Sequence, residues 1–422
     1  MSRSEYESRL IDAFVRWTWM RAALHNGWWL AASVYMVVDA GLTASEIVLI
    51  GSVQGLFALV CEVPAGVLAD TISRKWSLVL SQLLMGTAML ATGLVTTFPL
   101  LLGTQVLWGL SWTFASGADI AWITDELDQP ARIAAVLSRA ARAQSTGAAA
   151  GLLGIGALAW ATRRDVAIVL AGSAMLLLAF YLAFRFTEER FVPTRQARWS
   201  ASWTTFRRGL SLVRRSPEIL RIFLATFLIN GAADAAGRLA PKQLVGLGLP
   251  RLDPIVWFTG LGFVALVVGA VALRLVERRL DGEHARHSYQ LSACIGAVGM
   301  ALLAFAPDPV SGGVALVVMS GIAVPLTRVI SMIWVNARTT SEVRATTHSF
   351  LAQAEYLGEV TCGLLIALLA GVVGLPVALA GSAALFGLTA VLMRRPARRQ
   401  VRRRAGEPRR RSGRGGRGPR DP

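Results

Sequence analysis

The sequence predicts an all-α polytopic membrane protein, with twelve transmembrane helices in two pseudo-symmetric six-helix bundles and both termini cytoplasmic. Three observations carry this reading. Of 422 residues, 54% are hydrophobic and only 16% charged, against about 25% charged in a typical soluble domain. The apolar residues fall in blocks of roughly 20–25, the length that crosses about 30 Å of hydrocarbon at 1.5 Å per residue. The basic residues collect in alternate interhelical segments. A soluble chain with one large core does not need a dozen such blocks.

In order, the expected spans are 14–38, 43–69, 76–97, 99–124, 138–161, 165–186, 217–240, 254–275, 288–306, 311–336, 345–370 and 373–393. The first is interrupted by Arg16, Arg21, His25 and Asn26. Its membrane core is therefore placed from Ala22 onward, and residues 1–16 are read as a surface segment, a short amphipathic helix. Glu5, Glu7 and Asp12 near the start leave no signal-peptide pattern. The second and third spans flank a tight charged turn. The fourth carries Trp108 and Trp112 and, deep within it, Asp119 after Ser116-Gly117. The fifth holds Gly147, Gly151, Gly154 and Gly156, most simply a close helix-packing face.

Orientation follows from arginine. With the N-terminus inside, the outside segments hold only Arg163, Arg164, Arg238, Lys242 and Arg251, while the inside segments hold most of the other basic residues. The basic connection 187–216 divides the spans six and six. The expected organisation is an N-terminal bundle at 1–186, a cytoplasmic linker at 187–216, a C-terminal bundle at 217–393 and a disordered tail at 394–422. A faint echo supports duplication: Gly109, Trp122, Arg132 and Gly151 recur at an offset of 212 as Gly321, Trp334, Arg344 and Gly363. The net charge of +17 does not mark a specific nucleic-acid binder, because thirteen arginines lie in the Pro/Gly-rich tail between Arg394 and Arg420. Near-membrane arginines suit anionic lipid instead. Cys61, Cys294 and Cys362 show no metal-ligand spacing, and neither do His25, His284, His287 and His348.

The turn between the second and third spans reads Gly66-Val67-Leu68-Ala69-Asp70-Thr71-Ile72-Ser73-Arg74-Lys75, with Glu62 and Pro64 upstream. With these residues, the span count and the linker position, the chain resembles the major facilitator superfamily, and Glu62 and Pro64 resemble its efflux-type members. The resemblance implies that Gly66, Leu68, Asp70, Arg74 and Lys75 gate the cytoplasmic side. Asp70 would cap the helix beginning near Ala345, and Arg74 would pair with Asp125, Glu126 or Asp128. Gly66 would allow close helix approach. The chain departs from drug/proton antiporters in two places. Its fourth span reads Gln105 to Trp112 with no basic residue, and its fifth lacks the proline of their Gly-Pro pair.

Ionisable residues inside apolar spans are functional candidates by default. Glu62, Asp119, Asp234, Arg328, Glu355 and Glu359 are the candidates for coupling or ion pairing. Arg328 pairs statically with Asp119 or Glu355, or one of these acids carries a proton; both readings stand. A carboxylate in a low-dielectric site holds a proton more readily. Glu62 and Asp234 are also read as lying near helix ends. Asn26, Trp29, Gln54, Trp108, Trp112 and Asn230 are the candidates for a substrate cavity. Trp28, Trp122 and Trp334 lie close enough to span ends to be expected at the membrane interface.

The expected function is secondary active transport by alternating access, working as a monomer in the inner membrane of a bacterium. Its substrate would be a hydrophobic or amphipathic compound, exported in exchange for protons. Uptake or facilitated transport of a polar metabolite is the alternative, favoured by a cavity ringed by Asn26, Gln54, Asn230, Asp234 and Arg328 rather than by Trp. The absence of a phosphate-binding loop excludes ATP coupling through that motif, and no cofactor, metal or catalytic residue set is expected. Replacing Asp70 by Ala is expected to impair turnover in a transport assay while leaving expression and substrate binding largely intact. Normal turnover in that variant removes Asp70 from gating.

Overall fold

The computed structural model describes residues 3–193, 217–250, 252–277, 285–338 and 341–394, with backbone alone at 3–4, 277, 337–338 and 341–349. All regular structure among these residues is helical. The N-terminal half comprises α1 (Arg3–Val38), α2 (Ala44–Thr71), α3 (Arg74–Thr92), α4 (Phe98–Ala115), α5 (Ala118–Leu127), α6 (Pro130–Ala161) and α7 (Arg164–Arg185). The C-terminal half comprises α8 (Pro217–Gly246), α9 (Pro254–Glu277), α10 (Ala285–Ala304), α11 (Pro309–Val317), a π-helical segment (Val318–Ala323), α12 (Val324–Arg338), α13 (Ser341–Val372) and α14 (Leu375–Leu392). Because α4 and α5 share one path, and α11, the π segment and α12 another, the chain makes twelve crossings. Seven helices are long and apolar enough to span a bilayer by themselves. The linker expected at 187–216 lies largely outside the described residues, as do His284 and the arginine-rich tail beyond Arg394.

Local chemistry sets the helix ends. Thr43 and Glu46 form a reciprocal capping box at the start of α2. Ser73 caps α3 by accepting the Trp76 amide at 3.0 Å. Asp308 caps α11 from the Val310 and Ser311 amides, and the Ser311 amide holds its carboxyl below the ordinary range. The fourth crossing is not the single helix expected. Gly117 takes a left-handed φ of 71°, which breaks the helix after Ala115, and α5 begins anew at Ala118.

Residues 3–16 are not a separate surface helix; they are continuous with the first span in a helix of 36 residues. Their apolar face is buried at Leu10, Ile11, Ala13 and Phe14, and Glu7 and Asp12 pair with Arg132 and Arg139 of α6. The expected interfacial tryptophans are also interior. Trp28, Trp122 and Trp334 are at most 2% exposed. Trp28 donates to the Met89 carbonyl, Trp122 to the Thr187 carbonyl and Trp334 to Glu218. A buried indole N–H needs such an acceptor.

Backbone contact between small residues builds both halves in the same way. A Cβ on Gly151 of α6 would stand 1.9 Å from the Ala23 carbonyl of α1, and one on Gly27 would stand 2.3 Å from the Gly151 carbonyl. Likewise a Cβ on Gly358 of α13 would stand 2.1 Å from the Phe227 carbonyl of α8, and one on Gly231 would stand 2.3 Å from the Gly358 carbonyl. The counterpart of Gly151 is therefore Gly358, not the Gly363 suggested by the echo. Gly154, by contrast, faces open space. Gly151→Leu is expected to cost about 1–3 kcal/mol or more through overpacking, lowering the thermal unfolding midpoint of the purified protein. Gly154→Leu is expected to leave that midpoint unchanged.

Candidate functional site: a cavity between the halves

Small residues and charges join the two halves at the end that the arginine distribution assigns to the outside. Ser45 of α2 faces Gly371 of α13, and a Cβ on Gly363 would stand 2.3 Å from Ser52 Oγ. Gly156 of α6 does the same against Thr259 Oγ1 of α9, at 2.3 Å. Arg164, at the start of α7, holds Asp39 at 2.6 Å and, across the interface, Asp253 at 3.2 Å. Lys242 of α8 donates to the Leu42 carbonyl before α2.

Beneath this closure lies a cavity of about 510 Å³, within the range of small-molecule sites. Arg238 forms its ceiling and is 7% exposed. Arg238 Nε donates to Asp234 at 2.9 Å, Nη2 donates to Gln54 Oε1 at 3.2 Å, and the guanidinium lies 5.2 Å from the Trp29 ring centroid. Asp234 is one turn away on α8, whereas Gln54 and Trp29 belong to the other half. Glycine makes room for the group: a Cβ on Gly51 would stand 2.4 Å from Arg238 Nε, and one on Gly55 would stand 3.3 Å from Glu359 Oε2. Asp234, Arg238 and Glu359 thus form one electrostatic group at the seam.

The N-terminal wall is aromatic. Trp29 stacks on Trp108 at 5.3 Å, His25 stacks on Trp108 at 5.4 Å, and Trp112 stands edge-on to Trp108 at 6.0 Å. Arg21 lies over the Trp112 ring at 4.4 Å. Gly109 lets α4 meet Gln54, whose Cγ would stand 2.5 Å from a Cβ there.

Asp119 lines the cavity, but it is not deep in a straight helix. The break at Gly117 puts it in the first turn of α5, where Oδ1 accepts the Ile120 amide at 2.8 Å. Arg328 also lines the cavity, but among the described residues it makes no ion pair with Asp119 or Glu355. It acts on Glu355 only at longer range. The static bridge expected of Arg328 is instead the Asp234–Arg238 pair. Neither Asp234 nor Glu62 is a wet helix-end residue. Glu62 lies within α2, with Oε1 accepting from Ser116 Oγ at 2.7 Å and Oε2 buried.

Asn26 lines a smaller cavity of about 370 Å³ that shares Trp29, Asp234 and Arg238 with the first. Asn230 and Glu355 are among the walls of neither cavity; Asn230 Nδ2 is spent on the Thr226 carbonyl at 2.9 Å.

At the opposite end, Arg74 ties together α2, α3 and α5. It pairs closely with Asp125, donates to the Ala121 carbonyl at 3.2 Å and reaches Asp70 at 3.5 Å. The other two acids considered for it are engaged elsewhere: Glu126 accepts the Glu189 and Arg190 amides, and Asp128 pairs with Arg190. The Lys75 amide donates to Glu188 at 2.9 Å. Gly66 faces open space rather than a close helix, and Leu68 is exposed. The side chains of 341–349, where the resemblance places the helix facing Asp70, lie outside the described residues.

The family model for the Major Facilitator Superfamily matches residues 19–361. The chain belongs to the Major Facilitator Superfamily. Its fold is similar to that of a mutant of the nucleoside transporter NupG, with a TM-score of 0.76 at 14% identity over 91% of this chain and 98% of that one. It is also similar to a POT family transporter in complex with 5-aminolevulinic acid, with a TM-score of 0.71 at 11% identity over 91% and 94%. A bacterial homologue of the human lysosomal transporter Spinster, inward-facing and occupied, gives a TM-score of 0.69 at 13% identity over 93% and 97%. No curated protein matches the sequence. The superfamily and these folds make the chain a secondary transporter of a small molecule rather than an enzyme.

For this superfamily member, sequence reasoning missed two charged cavity residues, Arg21 and Arg238. Arg238 was assigned to an outside segment because the seventh span was ended at 240, whereas α8 continues to Gly246. Its spacing of four from Asp234, which places the two on one helix face, was the available signal. Arg21 was counted only as an inside charge, although four-residue steps link Trp17, Arg21 and His25 on one face of α1.

Proposed function

We propose that the protein exports hydrophobic or amphipathic compounds by alternating access, in exchange for protons, from the inner membrane of a bacterium. The observation that carries this is the wall of Trp29, Trp108 and Trp112 in a cavity shared by the two halves. Flat indole faces offer area to a ring-bearing solute, which a site for a small sugar does not require. Glu62, Pro64 and the charged turn resemble efflux-type members and support the outward direction. Gln54, Asp234 and Arg328 also line the cavity; they favour, as the second reading, uptake of a polar metabolite.

Proton exchange rests on the seam. Where the halves meet, Arg238 is ion-paired with Asp234, and a second carboxylate, Glu359, lies in the same electrostatic group without an ion pair of its own among the described residues. Desolvating two negative charges beside one positive charge is costly, and one proton on the group restores neutrality. Glu359 is the proposed carrier because Asp234 already holds Arg238 through both oxygens. Opening the outer end would wet this group and let it take up a proton from that side, and the inward-open state would release the proton inside as the compound to be exported binds.

Proteoliposomes with an internal pH reporter test the reading against amphipathic aromatic compounds, with sugars and small organic acids as the contrasting set. A proton signal with the aromatic compounds supports coupled export; a response confined to the polar set supports uptake. Glu359→Gln is expected to abolish gradient-driven accumulation while retaining counterflow of labelled substrate. Gradient-driven accumulation at the parent level in Glu359→Gln removes that residue from coupling.

A further inference from the structure

We propose that Arg21, with His25, Trp108 and Trp112, forms a subsite for the carboxylate of a planar aromatic substrate. This deepens the reading of the cavity as the transport site and rests on it. Arg21 reaches the cavity wall, yet its Nε and Nη2 are buried with no acceptor among the described residues. His25 Nε2, Trp108 Nε1 and Trp112 Nε1 are buried and unpartnered in the same way. His25, Trp108 and Trp112 are in ring contact with one another and Arg21 lies over Trp112, so these orphaned nitrogens belong to one cluster. Guanidinium and indole nitrogens are donors only, and an unmet buried donor is costly. A ligand complementary to this wall is therefore rich in acceptors.

The sign of the ligand follows from the charges that are left over. Arg238 is committed to Asp234 and Gln54. Asp119 acts on Arg21 from a distance without forming an ion pair. Arg21 therefore keeps a guanidinium with no ion pair among the described residues, held in place over Trp112 and Trp17. One carboxylate matches that charge, and its two oxygens suit the planar fork of donors. The flat part of the ligand is defined by Trp29 and Trp108, whose rings lie within 19° of parallel, with Trp108 backed by the stacked ring of His25, which does not itself line the cavity. A lipophilic cation meets the wrong sign here.

The test uses three probes of one shape: 2-naphthoate, 2-naphthylmethanol and 2-naphthylmethylammonium. Each is titrated calorimetrically into the full chain in lipid nanodiscs. The carboxylate is expected to bind about ten- to a hundredfold more tightly than the alcohol, as for hydrogen bonds to a charged group, and the ammonium least tightly. Arg21→Gln, verified as folded by its thermal unfolding, is expected to erase the preference for the carboxylate over the alcohol. Arg21→Lys retains the charge without the fork and is expected to lose about tenfold for the carboxylate; it carries the test if Arg21→Gln does not fold. Equal binding of the three probes, or an undiminished preference in either variant, overturns the subsite. The transport reading fails separately: it is refuted if 2-naphthoate binds with the predicted preference but none of the probes crosses proteoliposome membranes. Transport of the probes without regard to charge refutes the subsite alone.

Discussion

The arrangement of the cavity depends on where Arg238 spends its hydrogen bonds. Its side chain is interior to a membrane protein, where an unpaired charge is costly. Asp234, one turn earlier on the same helix, neutralises it. The remaining donor capacity and the guanidinium face go to Gln54 and Trp29 of the other half. One side chain therefore pairs within its own half and holds the two halves together above the cavity. Removing one member of a buried pair of this kind typically costs about 3–5 kcal/mol, which gives this contact more weight than any exposed pair in the outer loops.

The packing around that contact suits a seam that opens. Within each half, glycines bring helix backbones into direct contact, as at Gly151 on Ala23 and Gly358 on Phe227. Between the halves the meeting residues are small or polar: Gly51, Ser52 and Gly55 on α2, Gly363 and Gly371 on α13, and Gly156 against Thr259. Lipid-facing helices gain little from apolar attraction to one another, so close van der Waals fit and hydrogen bonds decide which surfaces stay together. The intra-half contacts lock backbone to backbone. The seam contacts largely involve side chains that can exchange their partners for water. This difference supports the proposal that two bundles rock about a central site.

Much of the architecture was legible in the sequence because span length and arginine placement are direct consequences of bilayer thickness and membrane topology. The twelve crossings appear in the order read, and of the three acids named for Arg74 only Asp125 lies against it. The details that failed depend on helix rotation and on single-residue breaks. A straight fourth span put Asp119 in mid-membrane, whereas Gly117 in the left-handed region moves it to a helix start. Trp122 and Trp334 lie near helix ends but are claimed by Thr187 and Glu218 inside the bundle. Among the cavity candidates, Trp29, Gln54, Trp108 and Trp112 face the space while Asn230 turns to its own backbone. Nothing in a run of apolar residues fixes which of its faces meets the other half. Arg21 and Arg238 were visible as charges, but only their neighbours in space make them part of the site.

The central claim is that Arg238 holds the outer seam closed over the cavity. Electron–electron distances between spin labels at Thr96→Cys and Val373→Cys, on opposite halves of the outer end, test it most directly. The background carries Cys61, Cys294 and Cys362 replaced by Ala, and the protein sits in lipid nanodiscs. Arg238→Ala is predicted to move the distance distribution toward longer values while the thermal unfolding transition remains cooperative. A distribution identical to that of the parent, in a variant that is folded, contradicts the claim and moves the closure to the small-residue contacts alone.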